Sequence, residues 1–284
     1  MTILVTGASG FIGSNLVRYL QKKKLKFYGV DKINNPYFKF KNFNKINLED
    51  KNKISKLIFK KKIKKVIHLA ALPGFVSCHN NPDKAFNDNI LATFNLLVAC
   101  KNNGVKNVLV ASSMGVKNFS KSPSIYGLSK FTCENFCKTF NTLYKMNIKI
   151  CKISNVFGPY STHKSSAIHA FTKKIIQGKK IQIHKNGMQE RDFIFTEEVC
   201  KKMLFVINKN NKTKDNVINT NKFLRIIDLI NIFKKITKKK ITYEFVQTPK
   251  GYDDKVYKKK ISIKNKDLIK KIALTFNWYM NNYK

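Results

Sequence analysis

A tyrosine and a lysine four residues apart form the pair best suited to proton transfer in this sequence. Tyr126 and Lys130 are the ends of the segment Y-G-L-S-K. On a helix, residues at this spacing lie on one face, one turn apart. An ammonium group that close favours the phenolate form of the tyrosine, which can then take a proton from a substrate hydroxyl. Because most such pairs lie on an ordinary solvated helix face, a catalytic role requires a hydride acceptor supplied by the rest of the chain.

A glycine-rich turn near the start of the chain can bind such an acceptor. The apolar segment Ile3-Leu4-Val5 predicts a strand, glycines follow at positions 7, 10 and 13, and a helix is predicted next. Glycines at this spacing allow a tight turn and close approach of the backbone to a diphosphate at the helix N-terminus. A second predicted strand ends at Asp31, whose carboxylate can accept hydrogen bonds from ribose hydroxyls. It would repel a 2′-phosphate and so favours NAD over NADP, although the neighbouring Lys32 weakens this preference.

Predicted strands and helices alternate along the first half of the chain. Strands end near Ala71 and Ser113, and the longest intervening helix is predicted from about Pro82 to Asn102. This alternation indicates an α/β fold, a Rossmann-type doubly wound parallel sheet with a smaller C-terminal α/β region for substrate binding. We expect residues 1–157 to form the NAD-binding domain. Residues 158–284 would form mainly the substrate-binding region, with some segments returning to the first sheet.

Histidine and cysteine residues do not show the spacing of a metal site. His68 lies in a predicted buried strand, where a hydrogen-bonded core histidine is more common than a ligand. Cys78 and His79 share a predicted loop from Leu72 to Pro82 that contains no further ligands of matching spacing. We therefore expect no metal. The six cysteines form no C-x-x-C pair and fall mostly in apolar segments, which indicates reduced thiols in a cytoplasmic protein.

A formal net charge of +40 raises the question of nucleic-acid binding. Only three of the 56 basic residues are arginine, and the lysines are spread over every segment. Proteins that read nucleic acids usually cluster their charge and use arginine for bidentate contacts, so we expect no specific nucleic-acid partner. The charge would nevertheless attract a phosphate-bearing small substrate. No apolar run is long enough to span a bilayer and no secretory signal pattern follows Met1, so we expect a cytoplasmic protein without a membrane partner.

Seven short motifs follow one another along nearly the whole chain: T-G-A-S-G-F-I-G, H-L-A-A, N-x-x-A-T-x-N-L-L, A-S-S, Y-G-L-S-K, N-V-F-G-P and G-M-Q-E-R-D-F. With these motifs the chain resembles an extended short-chain dehydrogenase/reductase. Within that group it is similar to the NAD-dependent nucleotide-sugar epimerase/dehydratase family, of the UDP-glucose 4-epimerase-like kind. The set of motifs is specific for the family and far less specific for the substrate.

The resemblance implies a role for individual residues. Tyr126 would be the general base on a sugar hydroxyl, Lys130 would hold the nicotinamide ribose, and Ser113 would hydrogen-bond the same hydroxyl. It implies cofactor contacts by Gly7, Gly10, Phe11, Ile12, Gly13, Asp31, Leu48, Ala70, Ala71, Asn89, Tyr126 and Lys130. It implies substrate contacts by Ser113, Asn155, Ser166, His184, Arg191 and Lys250, of which Arg191 would clamp the diphosphate with its planar guanidinium. A homodimer formed through the helices at 82–102 and 124–145 is a further expectation from the family.

Departures from the family pattern affect the expected reaction. Ser113 and Tyr126 are only 13 residues apart, which shortens the loop next to the site. Met114-Gly115 replaces the Asp-Glu pair of the 4,6-dehydratases, whose chemistry needs an acid and a base, and this argues against dehydration. His184 replaces an aromatic residue that is common beside the nucleotide base. Lys250 replaces an arginine, which weakens a second phosphate clamp.

We therefore expect an NAD-dependent epimerase that oxidises C4 of a nucleotide-diphosphate sugar, such as a UDP-sugar, to a ketone and reduces it from the other face. Within the same fold, the alternative is a nucleotide-sugar reductase or dehydrogenase, which would form or consume NADH stoichiometrically. From another class, the alternative is a non-catalytic NAD-binding or basic RNA-associated protein. The joint presence of Ser113, Tyr126 and Lys130 argues against this last alternative, which salt-sensitive RNA binding unaffected by NAD would support.

Overall fold

The computed structural model describes residues 2–118, 124–209, 216–247 and 265–283. The chain divides into two units, the first made of Met1–Ile153 and Cys200–Ile218 and the second of Ser154–Val199 and Asn219–Lys284. Within the described ranges, no helix combines the length and the apolar composition needed to cross a membrane.

The described residues form twelve strands and ten α-helices. The strands are β1 (Ile3–Thr6), β2 (Phe27–Asp31), β3 (Phe43–Lys45), β4 (Lys65–His68), β5 (Asn107–Ser113), β6 (Asn147–Ile153), β7 (Asn155–Phe157), β8 (Ile181–His184), β9 (Glu190–Phe195), β10 (Asn216–Ile218), β11 (Phe223–Arg225) and β12 (Tyr243–Val246). The α-helices are α1 (Phe11–Lys22), α2 (Lys51–Lys60), α3 (Phe75–Asn80), α4 (Pro82–Ala85), α5 (Ala92–Asn102), α6 (Ile125–Leu143), α7 (Ala167–Ile176), α8 (Thr196–Asn208), α9 (Asp228–Thr237) and α10 (Lys266–Asn282). A π-helical segment, Phe86–Leu91, joins α4 to α5, and a 3₁₀ turn, Met114–Asn118, follows β5.

The first unit is built on a parallel sheet, which confirms the predicted fold class. Among the described residues, seven strands pair in the order β3-β2-β1-β4-β5-β6-β10, and each neighbouring pair is parallel. Strands β1, β2 and β3 follow one another toward one edge of the sheet, and β4, β5 and β6 follow one another toward the other edge. The direction of the strand order therefore reverses between β1 and β4. Ligands of such sheets bind beyond the carboxyl ends of the strands next to this reversal. Strand β1 ends there at Thr6, directly before Gly7.

The central strands of this sheet carry buried apolar side chains on both faces. Strands covered by helices on both faces are apolar throughout rather than alternating. The four residues of β1 are all buried, as are Val108, Leu109 and Val110 of β5. Helices α2 and α5 pack against one face and against each other, and their buried residues join one core cluster with the strands: Ile54, Leu57, Ile58, Leu96, Leu97 and Cys100.

The second unit contains two smaller sheets, as expected for a smaller α/β region. Strand β9 pairs in parallel with β7 and antiparallel with β11, and β8 pairs in parallel with β12. Helices α7, α9 and α10 contribute to a core that is rich in phenylalanine. The phenylalanines of this core are Phe157, Phe171, Phe193, Phe195, Phe233 and Phe276.

Three predictions of local structure are wrong in the same region. The helix predicted from Pro82 to Asn102 is interrupted by the π-helical segment. The predicted loop between Leu72 and Pro82 contains helix α3. The strand predicted to reach Ala71 ends at His68.

Candidate active site

The turn after β1 has no room for side chains at two of its glycines. Gly7 has a φ of +69°, and a Cβ at this position would lie 2.6 Å from the backbone nitrogen of Ala70. A Cβ on Gly13 would lie 1.9 Å from the carbonyl oxygen of Gly7. Gly10 is the N-cap of helix α1 and contributes no side-chain hydrogen bond to its first turn. The turn therefore fits the diphosphate of a dinucleotide, which the positive end of helix α1 would stabilise.

Asp31 is held next to this turn. Its carboxylate accepts hydrogen bonds from the backbone N–H of Ser9 at 2.9 Å and of Ile33 at 3.3 Å. Burial raises the pKa of Asp31, and the hydrogen bonds from Ser9 and Ile33 oppose that rise. Lys32, which weakens the sequence-based preference for NAD, forms an ion pair with Asp88 at 2.5 Å. The carboxylate is thus fixed at the end of β2, where it can accept hydrogen bonds from a ribose.

The remaining predicted cofactor residues lie at the start of α1 and after β3 and β4. Phe11 is buried and Ile12 is half-buried in the first turn of α1. Leu48 is buried, and its carbonyl accepts a hydrogen bond from the side chain of Asn95 at 3.1 Å. Ala70 and Ala71 are half-buried, directly beyond β4. These positions are compatible with the predicted contacts, whose roles stay predictions.

Asn89 lies in the π-helical segment and joins the loop after β4 to helix α6. Its side-chain oxygen accepts a hydrogen bond from the N–H of Leu72 at 2.6 Å. Its amide group donates to the carbonyl of Leu72 at 3.2 Å and to the hydroxyl of Ser129 at 2.9 Å. π-Helical turns occur frequently at functional sites. This one directs Asn89 at both the loop and the helix.

Helix α6 carries the predicted catalytic pair. It begins directly before Tyr126, and the hydroxyl of its N-cap Ser124 accepts a hydrogen bond from a backbone N–H of the first turn. Lys130 is buried, and its ammonium group donates to the carbonyl oxygen of Ala111 at 3.3 Å. Tyr126 is half-buried one turn before it, on the same helix face. The pair is therefore held at the carboxyl end of β5, the strand that ends with Ser113.

Phe75 contacts Tyr126, and Gly115 lies between Phe75 and Ser113. The hydroxyl of Ser113 accepts a hydrogen bond from the N–H of Gly115 at 3.1 Å. The rings of Phe75 and Tyr126 meet edge to face, with centroids 5.6 Å apart and an interplanar angle of 62°. A Cβ on Gly115 would lie 3.4 Å from Ser113 Oγ and 3.7 Å from the ring of Phe75. A methyl group at this position would therefore be in van der Waals contact with both Ser113 and Phe75.

Glu134 is a buried residue of this region that the sequence reasoning missed. One carboxylate oxygen accepts a hydrogen bond from the hydroxyl of Ser112 at 2.5 Å, and the other lies 3.3 Å from the ammonium group of Lys152. This buried network ties helix α6 to strands β5 and β6. Because Tyr126, Lys130 and Glu134 follow one another at intervals of four, the helical spacing is the signal that could have identified the glutamate.

His68 is a core histidine, as predicted. Its Nδ1 lies 2.7 Å from Thr6 Oγ1 and its Nε2 lies 2.9 Å from Thr93 Oγ1. Burial lowers the pKa of His68 to about 3, with a smaller contribution from the positive charge of Lys130. All six cysteines are free and buried, in agreement with the predicted reduced thiols.

In the second unit, Asn155 and Arg191 lie on paired strands. Asn155 is opposite Phe193 in the register of β7 with β9, and its side-chain amide donates to the carbonyl of Asp192 at 3.2 Å. The guanidinium group of Arg191 donates to the carbonyl of Glu190 at 2.8 Å. The structure therefore brings these two predicted substrate-binding residues onto one small sheet.

The other predicted substrate-binding residues of the second unit lie on different elements. Ser166 is the N-cap of α7, and its hydroxyl lies 2.8 Å from Nδ1 of His169. His184 ends β8, and its Nδ1 lies 3.2 Å from the carbonyl oxygen of Gln247. Lys250 lies outside the described residues.

Comparison with known proteins places the chain in a family. The sequence profile of the NAD dependent epimerase/dehydratase family matches residues 3–220. The chain is similar to the uncharacterized UDP-glucose epimerase YtcB of Bacillus subtilis, with 31% identity over 86% of this chain and 85% of the relative. It is 28% identical to the UDP-glucuronate 4-epimerase of Thermodesulfobacterium geofontis, over 87% of this chain and 84% of the relative.

A solved structure shares the fold over nearly the full length. The UDP-N-acetylglucosamine 4-epimerase of Methanobrevibacter ruminantium M1, in complex with UDP-N-acetylmuramic acid, superposes with a TM-score of 0.85. It covers 99% of this chain and 98% of its own at 25% identity. The chain therefore belongs to the NAD-dependent epimerase/dehydratase family, as the predicted resemblance implied, and its cofactor is NAD.

Proposed function

We propose that the protein is an NAD-dependent 4-epimerase of a UDP-sugar. The observation that carries the proposal is the position of Lys130, whose ammonium group contacts Ala111 at 3.3 Å on the strand that ends with Ser113. This contact holds the lysine and Tyr126 at the sheet edge that also carries the glycine turn. The names of the UDP-glucose, UDP-glucuronate and UDP-N-acetylglucosamine epimerases reported above support the same reaction on a UDP-sugar.

In the proposed reaction Tyr126 takes the proton of the C4 hydroxyl and later returns it. Ser113 would orient that hydroxyl, and Lys130 would bind the nicotinamide ribose. Bound NAD would accept the hydride from C4 and later return it. The glycine turn and Asp31 hold the diphosphate and the adenosine ribose. Inversion requires that the ketone turn over in the site. The hydride then returns to its opposite face, and Tyr126 returns the proton to the oxygen.

The surroundings of Ser113 favour epimerisation over dehydration. A 4,6-dehydratase needs an acid and a base next to the catalytic serine to expel water. The residues there are Met114 and Gly115, and the N–H of Gly115 is used to orient the serine hydroxyl. Neither side chain can exchange a proton with the sugar. A reductase or dehydrogenase of the same fold is the alternative that this argument leaves open.

We propose that the two units contribute different contacts. The first unit, with the predicted NAD-binding domain, would hold the cofactor and the catalytic group. In the second, Asn155 and Arg191 on their paired strands, with Ser166 and His184, would contribute to binding the nucleotide and its diphosphate. A guanidinium group suits a diphosphate because its planar set of N–H donors can bind two oxygens at once.

We propose further that the protein is a homodimer. Helices α5 and α6 and the π-helical segment pack together, yet they expose large apolar side chains. These are Phe86 (54% exposed), Phe94 (38%), Leu128 (44%) and Phe131 (41%). A second copy of the chain that covers this surface would remove it from water. The free, buried cysteines support a reducing compartment, which agrees with the expected cytoplasmic location.

The test of the proposed function is incubation of the purified protein with a panel of UDP-, GDP- and dTDP-sugars. We expect a UDP-sugar to be converted to its C4 epimer, seen as a chromatographic shift without change of mass and without net NADH absorbance. Tyr126→Phe should retain NAD while turnover falls about 10²-fold or more, because the general base is lost. Stoichiometric NADH would support the dehydrogenase alternative instead. Near-normal turnover of Tyr126→Phe would overturn the assignment of the base.

A further inference from the structure

A line of hydrogen bonds, joined through the covalent frame of Asn89, crosses the interior of the first unit from the glycine turn to the catalytic helix. It starts at Thr6, directly before Gly7, and ends at the backbone carbonyl of Tyr126. All of its side chains are buried. The distances are Thr6 Oγ1 to His68 Nδ1 2.7 Å, His68 Nε2 to Thr93 Oγ1 2.9 Å, Thr93 Oγ1 to Asn89 O 2.5 Å, Asn89 Nδ2 to Ser129 Oγ 2.9 Å, and Ser129 Oγ to Tyr126 O 2.9 Å.

The direction of each hydrogen bond follows from the protons available. Thr93 has a single hydroxyl proton, and the carbonyl of Asn89 takes it because a carbonyl can only accept. Nε2 of His68 must therefore carry a proton and donate it to Thr93. Since burial lowers the pKa of His68 to about 3, the ring is neutral at ordinary pH. Its Nδ1 is then unprotonated and accepts from the hydroxyl of Thr6, which leaves one arrangement of protons for the whole line.

The π-helical segment contains the residue at the centre of this line, Asn89. The carbonyl of Asn89 accepts a hydrogen bond from the hydroxyl of Thr93 and lies 3.1 Å from Sγ of Cys133 on α6. The side chain of the same asparagine binds both backbone groups of Leu72 and the hydroxyl of Ser129. The backbone and the side chain of Asn89 thus join three elements: the core around His68, the loop after β4, and the first turns of the catalytic helix.

We propose that His68 and Thr93 are positioning residues that fix the catalytic helix relative to the glycine turn by holding Asn89 in one orientation. The inference rests on the proposed function, because it concerns the placement of Tyr126 as the base. Both residues are buried in the core and act through Asn89 and Ser129. Small displacements of a reacting group cost large factors in rate, so loss of this line should affect turnover more than substrate binding.

The first experiment compares three variants of buried threonines. Thr93→Val removes the hydroxyl at nearly constant volume, and Thr93→Ser keeps it. Thr275→Val is the matched control, because the buried Thr275 also donates to the carbonyl four residues earlier, that of Lys271, at 2.9 Å. The readouts are kcat and KM for the sugar, the affinity for NAD, and the melting temperature of each variant.

We expect Thr93→Val to lower kcat about tenfold while KM changes less than about twofold. Thr93→Ser should restore kcat to within about twofold of the original protein, because it keeps the hydroxyl proton. Thr275→Val should lower the melting temperature by a similar amount and leave kcat unchanged. Equal effects of Thr93→Val and Thr275→Val on kcat, or no rescue by serine, would overturn the proposal.

The second experiment uses the original protein, so it needs neither a sugar substrate nor a variant. In the ¹⁵N-labelled protein, the imidazole nitrogens distinguish the two neutral tautomers by their chemical shifts. We expect the ring of His68, assigned through its nuclear Overhauser contacts with Thr6 and Thr93, to stay in the neutral Nε2–H form from about pH 5 to pH 9, a range in which an exposed histidine titrates. The ring of His169, whose pKa burial also lowers to about 3, should stay neutral as well. An Nδ1–H tautomer of His68, or its titration in this range, would overturn the proton arrangement. If no nucleotide sugar is turned over while the tautomer is as expected, the proposed function fails and the network stands.

Discussion

The rings of Phe75 and Tyr126 meet edge to face with centroids 5.6 Å apart, although Phe75 is 52% exposed. Helix α3, in which Phe75 is the first residue, follows Gly74, whose φ of +90° lets the chain turn there. An exposed aromatic ring next to the proposed base offers an apolar surface to a sugar. The ring also contacts the tyrosine, so its removal would change the surroundings of the proposed base.

Replacement of Phe75 by alanine should therefore weaken substrate binding. The variant loses an apolar surface that a sugar ring would cover, so we expect KM for the sugar to rise several-fold. Loss of the aromatic pair itself, worth about 0.5–1.5 kcal/mol, should lower the free energy of unfolding. Phe75→Tyr should preserve the edge-to-face contact and most of the affinity. Phe59→Ala is the matched control, since Phe59 on α2 is 78% exposed. Steady-state kinetics of the three variants provide the measurement, and an unchanged KM for Phe75→Ala would exclude this contact from substrate binding.

Asp31 should determine the choice between NAD and NADP. Asp31→Asn keeps an oxygen for the N–H of Ser9 and removes the charge that repels a 2′-phosphate. We expect weaker NAD binding, with the preference for NAD over NADP reduced about tenfold or more, equal to about 1.4 kcal/mol of lost discrimination. Titration calorimetry with both cofactors measures the effect. An unchanged preference would mean that another group contacts the ribose.

Arg191→Lys tests the proposed diphosphate contact. Lysine keeps the charge and loses the planar set of donors, so we expect KM for the nucleotide-sugar to rise about tenfold. The affinity for NAD should change much less, because the proposed NAD contacts lie in the first unit. Arg225→Lys is the control, since Arg225 uses its guanidinium to bind Asp228 within the same unit, at 2.8 Å. Equal losses of both affinities in Arg191→Lys would indicate a structural role.

Acid should destabilise the protein through its buried histidines. Burial lowers the pKa values of His68 and His169 to about 3 each, below the usual value near 6.5. Both contribute stability that is complete above about pH 6.5, where the unfolded histidines are neutral as well, and that is lost progressively as the pH falls toward 3. Each should lower the free energy of unfolding by about 1.4 kcal/mol per pH unit in that window.

The contribution of His169 can be measured separately in the second unit. Trp278, the only tryptophan of the chain, lies on α10 next to Tyr279, whose ring is 6.1 Å from that of His169. We expect urea unfolding followed by tryptophan fluorescence to show a smaller loss of stability between about pH 6.5 and 5 in His169→Asn, by about 2 kcal/mol. Parallel loss in the original protein and the variant would contradict the assignment.

The parts of the site that depend on local sequence were predictable. Glycines 7 and 13 are required by the backbone itself, because a Cβ on either would collide with neighbouring main-chain atoms. The pair Tyr126 and Lys130 depends only on the helical repeat. The parallel sheet follows from the alternation of strands and helices, since parallel strands need a crossover connection.

The parts that depend on contacts between distant segments were not predictable. The apolar spacing around Ile90 and Phe94 is that of an ordinary α-helix and does not indicate a π-helical segment. The hydrogen bonds of Asn89 with Leu72 and Ser129 join segments that lie far apart in the sequence. The contact of Phe75 with Tyr126 depends on a short helix in a segment that reads as a loop. Glu134 was missed because its partner Lys152 lies on another element.

The strand order also has a consequence for biosynthesis. Strand β6 ends at Ile153, but its outer neighbour β10 begins only at Asn216, and the intervening chain belongs largely to the second unit. A nascent chain that has emerged only to Ile153 therefore presents the open edge of β6, with unpaired N–H and carbonyl groups, to its surroundings. The first unit can close this edge only after Ile218 has left the ribosome. Between these two events the growing chain should bind chaperones that recognise exposed strands, and a fragment that stops at Ile153 should aggregate where the full chain does not.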